Sequence, residues 1–242
     1  MKIITWNVRV DLPLKLPRWN RRKVFFKKPL EQIHPDIFCI QEALKHQVNF
    51  FESILPSHKW IGVGRDDGKE KGEYCACFYN TEKFKLLESG TFWLSETPEK
   101  PSAGFDICPR ICTWGKYRKI VGGNTFFVCN THLPLSFNWS GKKKATHVLL
   151  NFIHKFMSGP VLLVGDFNSG PGSIPREQIH RAGFDEAGIL KYTQHFYGVP
   201  LASIDAVYVN KFWNAESYTT IIANDGFVYA SDHLGVVADV TL

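Results

Sequence analysis

Four short apolar runs in this chain end in polar residues that are costly to bury without partners. Ile3-Ile4-Thr5-Trp6 ends in Asn7, and Ile37-Phe38-Cys39-Ile40 ends in Gln41-Glu42. Phe126-Phe127-Val128-Cys129 ends in Asn130-Thr131-His132, and Val161-Leu162-Leu163-Val164 ends in Gly165-Asp166-Phe167-Asn168. Ser203-Ile204-Asp205 and Ser231-Asp232-His233 each lead into a further apolar run. Carboxylates, two histidines and carboxamides gathered at one edge suit a divalent cation and a phosphate, because oxygen donors hold hard cations and imidazoles handle protons. Taken singly, each piece has an ordinary reading: Asn7 as a turn residue, Asp166 to Ser169 as an Asx turn, a lone histidine as a structural one. The case rests on their combination and order. Arg110 offers a guanidinium for bidentate phosphate binding, or else a structural ion pair. Glu73 and Tyr74 follow a glycine at the start of an apolar strand and are expected near the site rim, with Tyr74 facing the substrate.

The elements that must position these groups follow from the apolar pattern. Short β-branched runs bounded by Gly, Pro or Asn read as strands at 3–4, 37–40, 60–63, 75–79, 126–130, 161–164, 206–209 and 235–240, several buried on both faces. Helical stripes run through Leu44, Val48, Phe51 and Leu55, and through Val148, Leu149, Phe152, Ile153 and Phe156. They predict helices over 43–55 and 145–157. Strands and helices alternate along the chain, so the fold class is α/β, with the site on loops at one sheet edge. The run from Gly90 to Pro98 reads as core and sheet-edge packing.

The chain has 242 residues, 44% hydrophobic and 21% charged, which fits one globular domain over 1–242 and excludes disorder. Twenty-nine basic against 23 acidic residues leave +6, an excess that suits an anionic partner or simply a soluble surface. Much of it falls between Lys15 and Lys28, where Arg18, Arg21, Arg22, Lys23 and Lys27 alternate with Trp19, Phe25 and Phe26. Such a stretch either grips a polyanion and stacks a base, or folds as an amphipathic helix with its aromatics in the core. The sequence shows no apolar membrane span and no secretory leader, so a cytoplasmic location with reduced thiols is expected, and a monomer. The spacings Cys75-Ala-Cys77 and Cys108 to Cys112 do not match a zinc ribbon.

The stretches Thr5-Trp6-Asn7, Ile40-Gln41-Glu42, Asn130-Thr131-His132-Leu133, Gly165-Asp166-Phe167-Asn168, Ile204-Asp205 and Ser231-Asp232-His233 resemble the endonuclease/exonuclease/phosphatase superfamily, in its order and over nearly the whole chain. A bacterial subgroup is resembled more closely, through Gly62 to Gly68, Gly72-Glu73-Tyr74, Gly90 to Pro98 and Arg110 to Trp114. The resemblance implies a four-layer α/β/β/α sandwich of the deoxyribonuclease I-like type and a Mg²⁺-dependent hydrolase of phosphoester bonds, with Mn²⁺ as a substitute.

Carried over position by position, the resemblance makes Glu42 the principal metal carboxylate, helped by Asn7, with Asp232 near the metal. Asp166 then orients or deprotonates the attacking water, Asn168 donates to the phosphate, Asp205 fixes the tautomer of His233, and His132 faces the phosphate from the opposite side. Pro134-Leu135 stands where many relatives carry Asp-His, and Ala206 to Tyr208 lacks the usual tyrosine beside Asp205, which bears on substrate rather than reaction. The substrate is a phosphate-containing anion. The basic segment favours a nuclease acting on DNA or RNA over a phosphatase for inositol or sugar phosphates or a lipid phosphodiesterase. A binding module without catalysis is the remaining alternative.

Overall fold

The structure, a computed structural model, describes residues 1–135 and 139–242. Along the chain lie β1 (Lys2–Asn7), α1 (Trp19–Arg22), a 3₁₀ turn (Lys23–Phe26), α2 (Lys27–Ile33), β2 (Ile37–Ala43), α3 (Lys45–Ile54), β3 (His58–Ile61) and β4 (Tyr74–Asn80). There follow β5 (Phe84–Trp93), β6 (Ile111–Lys119), β7 (Thr125–His132), α4 (Trp139–Phe156), β8 (Val161–Asp166), α5 (Ile174–Arg181) and β9 (Phe184–Glu186). The last strands are β10 (Gln194–Phe196), β11 (Val199–Ala202), β12 (Asp205–Asn210), β13 (Asn214–Ile221) and β14 (Gly235–Thr241).

Two six-stranded sheets form, ordered β13-β14-β1-β2-β4-β3 and β5-β6-β7-β8-β12-β9, with β10 and β11 as a separate hairpin. Period-2 alternation assigns neighbouring residues to different layers. Ile3, Ile37, Cys39 and Cys77 face Phe126, Val128, Leu162 and Val164 between the sheets. Ile4, Trp6, Phe38 and Ile40 pack outward under Trp19, Phe26, Leu30, Val48 and Phe51 of the first helical layer. On the other outer face Phe127, Cys129 and Leu163 lie under Leu149 and Ile153 of α4. This is the expected α/β/β/α sandwich, and its strands are apolar on both faces because both faces are covered.

Boundaries moved where tertiary pairing overrode periodicity. The expected helix over 43–55 begins at Lys45, since Ala43 still pairs with Tyr74 in the sheet and Leu44 is extended. The strand expected over 60–63 runs from His58 to Ile61 and stops where Gly62 takes φ 134°. The helix over 145–157 starts earlier, at Trp139.

In the Lys15 to Lys28 segment the core reading holds. Trp19 and Phe26 are buried, with Phe26 edge-on to Trp6, so they are not free to stack a base. Arg22 is 1% exposed and donates to the carbonyls of Val8, Arg9, Pro17 and Ala230, which ties the chain after Asn7 to the chain before Asp232. All six cysteines are free thiols. Among the described residues no helix is long and apolar enough to cross a membrane.

Candidate active site

Each sheet has one inner parallel pair, and the two pairs end at the same edge of the sandwich. In the first, Asn7 pairs with Gln41; in the second, His132 pairs with Asp166. Side chains bridge the seam: Gln41 Nε2 donates to Asn130 Oδ1 at 2.6 Å, and Asn130 Nδ2 donates to the carbonyls of Ile40 and Ala76. The β2–β4 register shifts between Ile40 and Ala43, and Glu42 sits at φ 60° within that irregularity. A bulge re-aims a strand residue, and left-handed backbone in a non-glycine residue is strain that persists only where the surroundings hold it. Asn168, at φ 46°, is turned the same way. Gly165 makes the approach of β8 to β7 possible: a Cβ there would lie 1.9 Å from the Thr131 carbonyl oxygen.

Most of the expected residues line one cleft of about 320 Å³, namely Glu42, Arg110, His132, Asp166, Asn168, Asp232 and His233, while Asn7 and Asp205 are buried behind it. A larger hollow of about 440 Å³ around Arg176 and Tyr208 contains none of them, so volume alone does not single out the site. Asn7 Nδ2 donates to Glu42 Oε1 and to Asp166 Oδ2, both at 3.0 Å, and Val10 N donates to Glu42 Oε2. Asp205 Oδ2 receives His233 Nδ1 at 2.8 Å and the Thr193 hydroxyl at 2.6 Å.

Charge follows from these contacts. Burial works against protonation of His233, but Asp205, then Asp166 and Asp232, overcome it and raise its pKa to about 10. His233 is therefore an imidazolium with Nε2 left for a ligand. Burial and the charge of Asp205 raise Asp166 to about 7, against the opposing pull of His233 and Asn7, which places a carboxylate near the pH where a general base works best. Burial and the nearby Arg110 push His132 well down, so it is neutral.

Two placements differ from expectation. Asn168 Nδ2 donates to the Leu133 carbonyl, which fixes the amide orientation, and also to His132 Nε2 at 2.9 Å. Both of its amide protons are in use, and His132 Nε2 is an acceptor as placed. Tyr74, expected to face the substrate, is 1% exposed in the first outer core with its hydroxyl donating to the Lys69 carbonyl, and it borders the narrow recess beside Glu42 and His132 rather than the open cleft. Its neighbour Glu73, just before β4, lines both the recess and the open cleft. Arg110 takes both of its readings at once: Nε pairs with Asp106 at 2.9 Å, while buried Nη1 has no hydrogen-bond partner and the residue lines the cleft. Sequence reasoning missed Arg65, Gln194 and Thr193. Thr193 sits in a polar loop whose composition carries no sign that its hydroxyl orients Asp205.

Two donor sets could concern a metal. Asp166, Asp205 and His233 offer ligand atoms within 4.8 Å of one another, but His233 is charged and Asp205 Oδ2 already accepts two hydrogen bonds. Glu42 and Asp232 offer carboxylate oxygens at the open cleft, a donor type that suits a hard cation better, while buried Asn7 stands behind them with its Oδ1 accepting from Arg9 N and its Nδ2 donating to Glu42. Asp232 is half-exposed, with Arg9 Nε 3.8 Å away.

A deoxyribonuclease I-like sandwich with carboxylates, histidines and carboxamides at one edge defines a class of phosphoester hydrolases. The chain belongs to the endonuclease/exonuclease/phosphatase family, whose sequence pattern matches residues 4–233. An endonuclease/exonuclease/phosphatase from Bacteroides vulgatus superposes with TM-score 0.92 at 30% identity, covering 100% of this chain and 98% of that one. A Bacteroides thetaiotaomicron mannosyl-6-phosphatase superposes with TM-score 0.91 at 26% identity, covering 100% of both chains. Human nocturnin is 23% identical over 198 residues, or 71% of this chain, and the match spans 43% of nocturnin.

Proposed function

We propose that this chain is a divalent-metal-dependent hydrolase in which water attacks the phosphorus of a small phosphate ester in line. The observation that carries the reading is the Asp205–His233 pair at 2.8 Å beside Asp166, with Asn7 joining Asp166 to Glu42. Glu42, Asn7 and Asp232 would hold Mg²⁺ or Mn²⁺, which when bound polarises a phosphoryl oxygen and offsets charge developing on the leaving oxygen. Asp166 takes the proton of the attacking water. Asp205 holds His233 charged and oriented, so that Nε2 donates to a non-bridging phosphoryl oxygen. His132, with Nε2 3.5 Å from Asp166 Oδ2, and Asn168 also line the cleft, where a phosphate would compete for the amide protons that Asn168 now gives to His132 and Leu133.

Trp19, Phe26 and Arg22 of the basic segment are committed to the core, which weakens the case for base stacking there, while Lys15 of that segment lines the cleft and suits any phosphate ester. Among the described residues that line the cleft there is no Phe, Tyr or Trp to stack a base, and the rings present are the imidazoles of His132 and His233. The full-length likeness to a mannosyl-6-phosphatase supports a phosphomonoester. The test is hydrolysis of an alkyl phosphate, a dialkyl phosphate and single- and double-stranded oligonucleotides with Mg²⁺, Mn²⁺ or a chelator. Metal-dependent monoester hydrolysis, lost in Asp166→Asn and His233→Ala, is expected. Activity in chelator, or an unaffected Asp166→Asn, overturns the mechanism; faster turnover of oligonucleotides overturns the substrate class.

A further inference from the structure

The catalytic groups occupy one part of the cleft, and a second polar cluster occupies another without a part in the chemistry. Glu73 pairs with Arg65 Nη1 at 2.6 Å, and Arg110 pairs with Asp106. Their side chains are nearly buried, at 17%, 14% and 7% exposure for Glu73, Arg65 and Arg110. Buried Nη1 of Arg110 has no hydrogen-bond partner, and buried Nε of Arg65 makes no hydrogen bond either, with the Asp66 carboxylate 3.7 Å away. Glu42 and His132 share a narrow recess with Arg65, Glu73 and Arg110, so the cluster adjoins the reacting groups. Buried donors of this kind are costly to leave unmade.

The charge balance says what completes them. The guanidiniums of Arg65 and Arg110 and the cleft-lining Lys15 are set against Glu73, Asp106 and Asp66, so the charges balance with none left over to attract a second phosphate, and the Glu73 carboxylate would repel one. A neutral group with both donors and acceptors meets every requirement. A hydroxyl donates its proton to the Glu73 carboxylate, which only accepts, and its oxygen accepts from an arginine N–H, which only donates. Val10, Ile107 and Leu135 add apolar surface for C–H groups, and about 320 Å³ lies at the low end of the roughly 300–1,000 Å³ of small-molecule sites.

Resting on the phosphomonoesterase reading above, we infer that Glu73, Arg65 and Arg110 form a hydroxyl-recognising subsite for the leaving alcohol, and that this alcohol is a small polyhydroxylated molecule of the sugar or polyol class. The neutral diol that bridges the carboxylate and the guanidiniums sets specificity, while Glu42, Asp166 and His233 perform the reaction.

The experiment compares kcat/KM of the wild-type protein, with Mg²⁺ or Mn²⁺, for a hexose 6-phosphate, its monodeoxy analogues, propyl phosphate and a hexose bisphosphate. The hexose phosphate is expected to exceed propyl phosphate at least tenfold, and loss of one contacted hydroxyl to lower kcat/KM about 10- to 100-fold, since the buried partners are left unpaired. Glu73→Gln should reduce the ratio of hexose phosphate to propyl phosphate by at least about tenfold. The deoxy series uses wild-type protein and decides the matter even if that variant fails to fold. Equal kcat/KM for hexose and propyl phosphates, deoxy analogues as good as the parent, or equal losses on both substrates in Glu73→Gln would overturn the subsite. A preference for the bisphosphate would overturn it in favour of an anion site. If no phosphate ester is hydrolysed with metal present, it is the proposed function that fails, and the subsite falls with it.

Discussion

Replacing Asp205 with Asn should discharge His233 and stop catalysis while leaving the shape of the site in place. In the native protein burial alone would make His233 neutral; the carboxylates reverse this and raise its pKa to about 10. Asp205 supplies both the largest favourable charge and a 2.8 Å hydrogen bond. Without that charge, burial dominates and the imidazole falls to its ordinary value of about 6.5 or lower, so at pH 8 the charged fraction drops from near complete to about 3% or less. The loss of a charged donor to the phosphoryl group should lower kcat by about 10²- to 10⁴-fold. The assay is a histidine-labelled NMR titration of chelator-treated protein from pH 5 to 11, with His233→Gln to assign the resonance and steady-state rates run alongside. A wild-type His233 that titrates between pH 6 and 7, or one whose titration is unmoved in Asp205→Asn, refutes the balance of burial against carboxylate charge.

The same shift predicts an alkaline weakening. Between the unfolded pKa near 6.5 and about 10, the folded chain holds a proton that the unfolded chain has lost, so stability is fully present below pH 6.5 and declines as pH rises through 10. The Tm of metal-free protein should fall by of the order of 10 °C across that window, and His233→Gln should flatten the slope in a calorimetric scan. Arg22→Met leaves four carbonyls without their donor and should cost about 2–4 kcal/mol in urea unfolding, whereas Arg21→Met at an exposed position should change stability by less than about 0.5 kcal/mol. Equal effects at the two positions would contradict the core role of Arg22. Gly165→Ala forces a Cβ against the Thr131 carbonyl and strains φ 143°, so a loss of about 2–4 kcal/mol is expected by the same measurement.

Strands covered on both sides were legible in sequence, because 3–4, 37–40, 126–130 and 161–164 carry uninterrupted apolar runs. Partly solvated ones were not. β13 is mostly exposed, and nothing in Asn214–Ile221 marks it as the partner of β14. Residues delivered by strand ends were read correctly as convergent, since Asn7, Glu42, His132 and Asp166 follow from where apolar runs stop. What escaped was direction. The fate of Arg22 depends on carbonyls presented by loops as far away as Ala230, and no local pattern separates it from its exposed neighbour Arg21. Glu73 and Tyr74 were both placed near the site, and both border its recess, but only tertiary packing decides that Glu73 reaches the open cleft while the Tyr74 ring is buried. Gly165 advertised itself as a turn residue, while its necessity comes from the backbone of a different strand.

The second sheet is drawn from one unbroken stretch, 84–210, whereas the first takes its strands from either side of that stretch. During synthesis the second layer can therefore be complete while β1 still awaits β14, the strand that covers its free edge. Until then β1 presents an open row of backbone donors and acceptors to any strand it meets. Asp232 and His233 lie just before β14, so the catalytic constellation closes with the same event that seals the sheet. A nascent or stalled chain without β14 would thus combine an unfinished site with an open sheet edge, and activity would report that β14 has docked.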